Sequence, residues 1–249
     1  MNRFFLPIQF IQEKQVLFPP DLTHQILNVL RLNVGDLVQV LDNQGNVFDV
    51  VLGEGSKDGK LTGWIQTRKR EDSESQVNIT LFFGLTSREK VEWILQKGTE
   101  IGVSSFQPFI SARSLVQSTK LGDQKTLRWK RIIREAAEQS RRGLLPELCP
   151  PLTLQACLTK AGKEYDLCLL AWEEAGSEGM DIRCAVSDKG KLNEHTALFV
   201  GPEGGFTGEE VTLAESCGYQ VVSLGRRILR METAAILFPA LVLYELQRV

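Results

Sequence analysis

The stretch Ala197-Leu198-Phe199-Val200-Gly201-Pro202-Glu203-Gly204-Gly205-Phe206-Thr207-Gly208-Glu209-Glu210 runs from an apolar segment, through a glycine-rich loop, into the start of a helix. Glycines let a backbone approach a ligand closely and adopt positive φ, and Pro202 fixes one dihedral of the turn. Thr207 and Glu210 have the spacing of a capping box, which sets where the loop ends. An ordinary strand-turn-helix connection reads the same way, because short glycine patterns recur by chance. A second loop breaks the tie: Leu224-Gly225-Arg226-Arg227-Ile228-Leu229-Arg230-Met231-Glu232-Thr233 follows another short apolar run. Two backbone-rich loops, each leaving a short strand, suggest a site that holds a small ligand by its main chain.

Outward from these loops the chain alternates. Strands are expected at 77–85, 106–110, 167–171, 197–200 and 220–224. Helices are expected at 88–101, 125–139, near Leu154, at 209–217 and at the C-terminus, where Pro239 requires a late start or a kink. Such alternation points to an α/β domain with a mostly parallel sheet, whose ligands bind beyond the carboxyl ends of the strands. Residues 68–76 are polar throughout and form the best linker candidate. The preceding residues read as β-rich: 36–41 and 47–52 flank the hairpin loop Asp42-Asn43-Gln44-Gly45-Asn46, and 61–67 is a third strand. Between Pro20 and Asn33, Leu22, Ile26, Leu27, Val29 and Leu30 have helical spacing, with Asp21 placed as the cap. The expected organisation is a small barrel bearing one helix in residues 1–72 and an α/β domain in residues 73–249.

The chain has 249 residues, 43% hydrophobic and 24% charged, as in an ordinary soluble protein. It shows neither a transmembrane-length apolar run nor a signal-peptide pattern at its start, so a cytoplasmic location is expected. Its five cysteines include no C-x-x-C pair, so neither a disulfide framework nor a zinc site is indicated, and no metal is expected. The net charge of -2 argues against nucleic-acid binding by bulk charge. Locally, however, 120–142 carries eight basic residues against three acidic ones, a surface compatible with phosphate contacts, or else a solvated helix face.

The usual nucleotide signatures are missing: there is no G-x-G-x-x-G, and Gly55-Ser56-Lys57-Asp58-Gly59-Lys60 is one residue short of a Walker loop. The two histidines, His24 in the N-terminal region and His195 in a polar loop, leave little material for a histidine-based zinc centre or a serine-hydrolase triad.

Taken together, Gly201-Pro202-Glu203-Gly204-Gly205, Leu224 to Arg230 and Glu232-Thr233-Ala234 resemble the signature of the bacterial 16S ribosomal RNA uridine-N3 methyltransferases, of the trefoil-knotted SPOUT superfamily. The resemblance extends to Gln96 to Val103, to Glu135 to Arg142, and to Val29-Leu30-Arg31-Leu32, placed as in that family's PUA-like RNA-binding domain. It therefore spans nearly the whole chain. It implies a C-terminal SPOUT-type α/β trefoil-knot domain preceded by a PUA-like β-barrel.

The cofactor it implies is S-adenosyl-L-methionine. Leu224, Gly225, Ile228 and Leu229 would hold its adenine by backbone groups, Gly201, Glu203 and Gly204 would face its ribose and methionine end, and Pro202 and Gly205 would belong to the same cofactor-binding wall. The segment after Leu170 would supply a third wall. Arg230 and Arg142 are the expected catalytic arginines, because arginine stays charged and can donate two parallel hydrogen bonds to a uracil carbonyl. Glu232 either orients an arginine or accepts a proton. Arg31, Gln139 and Ser140 would meet the RNA. The implied partners are 16S ribosomal RNA within the 30S subunit and a second copy of the chain, with neither DNA nor membrane. One departure is Met231, where the family pattern has threonine and a hydroxyl contact would become apolar. Two other readings stay open: a SPOUT methyltransferase acting on another RNA base or on transfer RNA, and a non-catalytic ribosome assembly factor.

Overall fold

A computed structural model describes residues 1–55, 60–175, 180–187 and 195–246. Residues 56–59 of the near-Walker stretch lie outside them. The chain divides into two compact units, Met1–Glu74 with Ala137–Leu145, and Ser75–Ala136 with Pro146–Val249.

In the first unit, strands β1 (Arg3–Phe5), β2 (Gln15–Phe18), β3 (Leu37–Leu41), β4 (Asn46–Gly55) and β5 (Leu61–Arg70) form one sheet in the order β1-β3-β4-β5-β2. β1 pairs with β3 in parallel and the other pairs are antiparallel. The β3–β4 hairpin loop forms as expected. Asp42 Oδ1 accepts from the amides of Gln44 and Asn46 at 2.8 and 3.1 Å, so the aspartate closes the turn itself. Helix α1 (Pro20–His24) passes into a π-helical segment, Gln25–Val29. Asp21 does not cap it: Pro19 is the cap and Pro20 takes N1, where a missing amide costs nothing, so Asp21 falls inside the first turn.

The expected linker is also displaced. Arg68, Lys69 and Arg70 pair with Phe48, Val47 and Asn46 as the end of β5. Their charged side chains sit on an exposed face, and backbone pairing does not require apolar side chains there.

The second unit holds a seven-stranded sheet, ordered β12-β10-β11-β6-β7-β8, with β9 also paired to β7. The strands are β6 (Asn78–Gly84), β7 (Ser105–Ile110), β8 (Glu147–Leu148), β9 (Leu152–Thr153), β10 (Leu167–Ala171), β11 (His195–Val200) and β12 (Gln220–Val222), and every pair is parallel. His195 opens β11 rather than lying in a loop, since its register continues that of Thr196 against Asn78 on β6. The helices are α2 (Arg88–Ile101), α3 (Asp123–Gln139), α4 (Leu154–Glu164), α5 (Ile182–Ser187), α6 (Gly208–Ser216) and α7 (Met231–Leu246).

Alternation along the strands builds two cores. Ile79, Leu81, Phe83, Leu169 and Leu198 face α2 and α7 residues such as Ile94, Leu95, Ala235 and Phe238. Phe82, Leu170, Ala197 and Phe199 face α4 and α6 through Leu158, Ala161, Val211 and Ala214. The Phe82 and Phe199 rings stack 4.1 Å apart. Strands apolar on both faces are what a covered parallel sheet demands. Helix α7 begins at Met231 and runs through Pro239, so the late start is not the solution adopted. Among the described residues no helix is long and apolar enough to cross a membrane.

Candidate functional site

Both glycine loops leave carboxyl ends of parallel strands. Strand β11 feeds 201–207 and β12 feeds 223–230, with β10 between them in the sheet. Together they enclose a cavity of about 380 Å³ inside the second unit. The volume is within the range of small-molecule sites. Gly201, Pro202, Glu203 and Gly205 line it from the first loop, and Leu224, Gly225, Ile228, Leu229 and Arg230 from the second. Ala171, Trp172 and Glu173, just past β10, add a third side, and Met231 and Ala234 at the start of α7 close the floor.

The first loop begins with a tight turn, in which the Gly205 amide donates to Pro202 O at 2.9 Å. Gly205 has φ +69°, and a Cβ there would collide with the Glu173 carboxylate, so both conformation and space require glycine. The capping box is realised: Thr207 Oγ1 accepts from Glu210 N at 3.2 Å and Glu210 Oε2 accepts from Thr207 N at 2.9 Å. In the second loop, the backbone groups of Leu224, Ile228 and Leu229 make no hydrogen bond among the described residues. Ile228 is 85% exposed. Free peptide edges beside apolar side chains suit a flat heteroaromatic ring.

A polar cluster forms one wall. Lys90 of α2 donates to Glu203 Oε1 at 3.1 Å and lies 3.7 Å from Glu232 Oε2. Thr86 Oγ1 also donates to Glu203 Oε1. Burial pushes the Glu203 carboxyl up, but the Thr86 hydroxyl and the Lys90 ammonium together outweigh it and hold the group below the ordinary glutamate value. Glu203 is therefore ionised at neutral pH. Glu232 engages Lys90 and does not line the cavity. Arg230 is exposed at the rim and makes no ion pair among the described residues. Its guanidinium is available.

The remaining expected residues fall elsewhere. Gly204 turns away from the cavity, its carbonyl taken by Arg113. Arg31, Gln139, Ser140 and Arg142 belong to the first unit. There Arg31 is exposed in a left-handed conformation at φ 54°, and Gln139 ends α3 on the surface.

Arg142, the other expected catalytic arginine, is paired within the first unit. It is 7% exposed, with Nη2 donating to Glu74 Oε2 at 2.7 Å and Nε to Glu74 Oε1 at 3.3 Å, a part-buried two-point pair that engages the guanidinium. In the basic stretch, Arg128 is bound by Glu92 and Arg131 by Glu135, whereas Lys120, Lys130 and Arg134 stay exposed and unpaired among the described residues.

Lys90, Thr86, Glu173 and Arg113 were not singled out from the sequence. Only Lys90 carried a usable signal, a cation on the first turn of a helix that follows a strand end, and that pattern is too common to select it.

Residues 73–243 match the RNA methyltransferase domain family. Over 243 residues the chain is 35% identical to the ribosomal RNA small subunit methyltransferase E of Bacillus subtilis, covering 95% of this chain and 93% of that one. The chain belongs to the ribosomal RNA small subunit methyltransferase E family. Another member of the methyltransferase E family, from Synechocystis sp., is 35% identical over 92% of this chain and 72% of its own. The crystal structure of the methyltransferase E of Neisseria gonorrhoeae bound to S-adenosyl methionine superposes with a TM-score of 0.83 at 29% identity, covering 97% of this chain and 96% of that one.

Proposed function

We propose that the protein transfers a methyl group from S-adenosylmethionine to N3 of one uridine in the decoding region of 16S ribosomal RNA, acting on the 30S subunit as a homodimer. The observation that carries this reading is Arg230, an unpaired guanidinium at the rim of a backbone-lined cavity of about 380 Å³ in a chain of the methyltransferase E family.

The residues of the cavity fit S-adenosylmethionine. The free peptide groups of Leu224, Ile228 and Leu229 suit an adenine edge, with Leu224, Ile228 and Leu229 side chains against its faces. The carboxylates of Glu203 and Glu173 suit hydroxyl and ammonium groups. Met231 lines the cavity as an apolar contact in place of a hydroxyl. When bound, S-adenosylmethionine supplies an electrophilic methyl group on a sulfonium.

The chain's own work is on the uridine. N3 carries a proton at neutral pH, so its lone pair becomes available only as the proton leaves and negative charge spreads onto the flanking carbonyls. Arg230 donates hydrogen bonds to that developing charge and orients the ring. It needs no rearrangement to do so, because no carboxylate holds it. Glu232, 3.7 Å from the Lys90 ammonium, is the proton acceptor in this reading rather than an orienting group for Arg230. Arg142 is left out of the chemistry.

The SPOUT-type knot and the PUA-like barrel character of the first unit belong to the same reading. They rest on the sequence resemblance. Arg31, Gln139 and Ser140, with exposed Lys120, Lys130 and Arg134, would meet RNA phosphates, which position the protein while base contacts specify the target. The homodimer is supported by apolar side chains left exposed on two helices packed together: Leu237 at 36% and Tyr244 at 58% on α7, and Trp93 at 51% on α2.

Calorimetry with S-adenosylmethionine, followed by methyl incorporation into 30S particles that lack the modification, tests the proposal. Binding and incorporation are expected. Absence of binding would favour a non-catalytic assembly factor.

A further inference from the structure

Arg113 lies in the irregular segment 111–122 that leads into α3, and neither it nor Gly204 lines the cavity. Its Nη1 donates to Gly204 O at 2.9 Å and to Phe206 O at 3.3 Å. The neighbouring Ala112 amide donates to Glu210 Oε1 at 2.9 Å, while the other oxygen of that carboxylate accepts from the Thr207 amide. Two consecutive residues therefore grip the glycine loop, one at its turn and one at its exit into α6.

The turn explains what this grip controls. Gly204 contributes the carbonyl of the peptide whose amide, that of Gly205, closes the turn onto Pro202 O at 2.9 Å. One peptide plane thus carries both bonds. If the carbonyl swings free, the amide swings with it, and the turn that presents Pro202, Glu203 and Gly205 to the cavity opens. The contact is also close in space, since a Cβ on Gly204 would stand 2.9 Å from Arg113 Cβ.

We infer that Arg113 is a positioning residue for the methyl-donor site: by holding the carbonyls of Gly204 and Phe206 it fixes the loop that forms the donor wall, without itself touching donor or RNA. The inference rests on the reading of the cavity as the S-adenosylmethionine site. A guanidinium suits the task because its Nη1 carries two hydrogens and reaches both carbonyls, and charge-assisted hydrogen bonds are stronger than neutral ones.

Calorimetry with S-adenosylmethionine on wild type, Arg113→Met and Arg113→Lys, with urea unfolding of each ligand-free protein, tests this. Arg113→Met, which removes both hydrogen bonds to the loop, is expected to weaken donor binding about tenfold, with an unfolding midpoint near that of wild type. Arg113→Lys is expected to recover part of the affinity, because an ammonium reaches one carbonyl. Gly204→Ala, which crowds Arg113 from the other side, is expected to weaken donor binding in the same way. In methylation assays the donor KM rises while kcat at saturating donor and the RNA KM hold. Unchanged donor affinity in Arg113→Met overturns the inference, as does a loss that appears equally in RNA KM or follows a fall in stability that lysine does not rescue. A wild-type protein that fails to bind S-adenosylmethionine overturns the reading of the cavity and the inference with it.

Discussion

Lys90 Nζ stands 3.1 Å from Glu203 Oε1, tying the first turn of α2 to the glycine loop. The same ammonium is the nearest cation to Glu232 Oε2, a buried oxygen with no hydrogen-bond partner among the described residues. Lys90→Met leaves two carboxylates without their shared cation. It is expected to lower stability by only about 1 kcal/mol, since Lys90 is partly exposed, and to raise the donor KM several-fold. Lys90→Arg should retain most of both. Urea unfolding and donor titration check this, and wild-type values for both in Lys90→Met would contradict it.

The end of β6 is pressed against the same loop. A Cβ on Gly84 would lie 2.6 Å from the backbone nitrogen of Pro202 and 2.8 Å from its Cα, and backbone atoms cannot step aside as a side-chain tip can. Gly84→Ala is expected to cost about 1–3 kcal/mol and to displace the donor wall. Thermal unfolding and calorimetry on the purified variant measure the two effects.

In the first unit, Arg142 and Glu74 predict a pH dependence. Burial pushes the Glu74 carboxyl up, but the Arg142 guanidinium and the amides of Gly143 and Leu144 outweigh it and hold the group below the ordinary glutamate value. A carboxyl lowered in the folded state contributes stability that is complete above its unfolded value and is lost as pH falls through its folded value. Wild-type stability should therefore decline below about pH 4.5, and Glu74→Gln should show a shallower decline. Arg142→Ala, which strands a half-buried carboxylate, should cost about 2 kcal/mol at pH 7. Urea unfolding across pH 3 to 7 measures all three.

Much of this architecture was legible in the sequence. Helix 88–101 and strand 167–171 fall where periodicity places them, because continuous apolar runs and 3.6-residue spacing reflect burial directly. The Thr207–Glu210 box was legible because both partners sit within one turn. The short strands β1 and β2 escaped, since three or four residues cannot display a period, and charged 68–70 concealed a paired strand end. In the site, the loop residues were visible as glycine patterns. The groups that brace them were not: Thr86, Lys90 and Arg113 reach the loop from 91 or more positions away. Long-range pairing also moved Arg142, which joins Glu74 across 68 positions.

Arg230 separates the proposed chemistry from a purely structural role for the second loop. Arg230→Ala is expected to keep S-adenosylmethionine affinity within about threefold of wild type, because its guanidinium serves the uracil, and to lower kcat by about 10² or more, as for removal of a charge-stabilising donor. Calorimetry and single-turnover methylation compare the two quantities.

The account is tested most directly by mapping the methyl group. Undermodified 30S particles are incubated with the protein and S-adenosylmethionine, the 16S ribosomal RNA is digested, and the nucleosides are identified by mass spectrometry. The account predicts N3-methyluridine at a single position in the decoding region. A methyl group on another base or another uridine atom, or incorporation into transfer RNA in place of 16S ribosomal RNA, would contradict it.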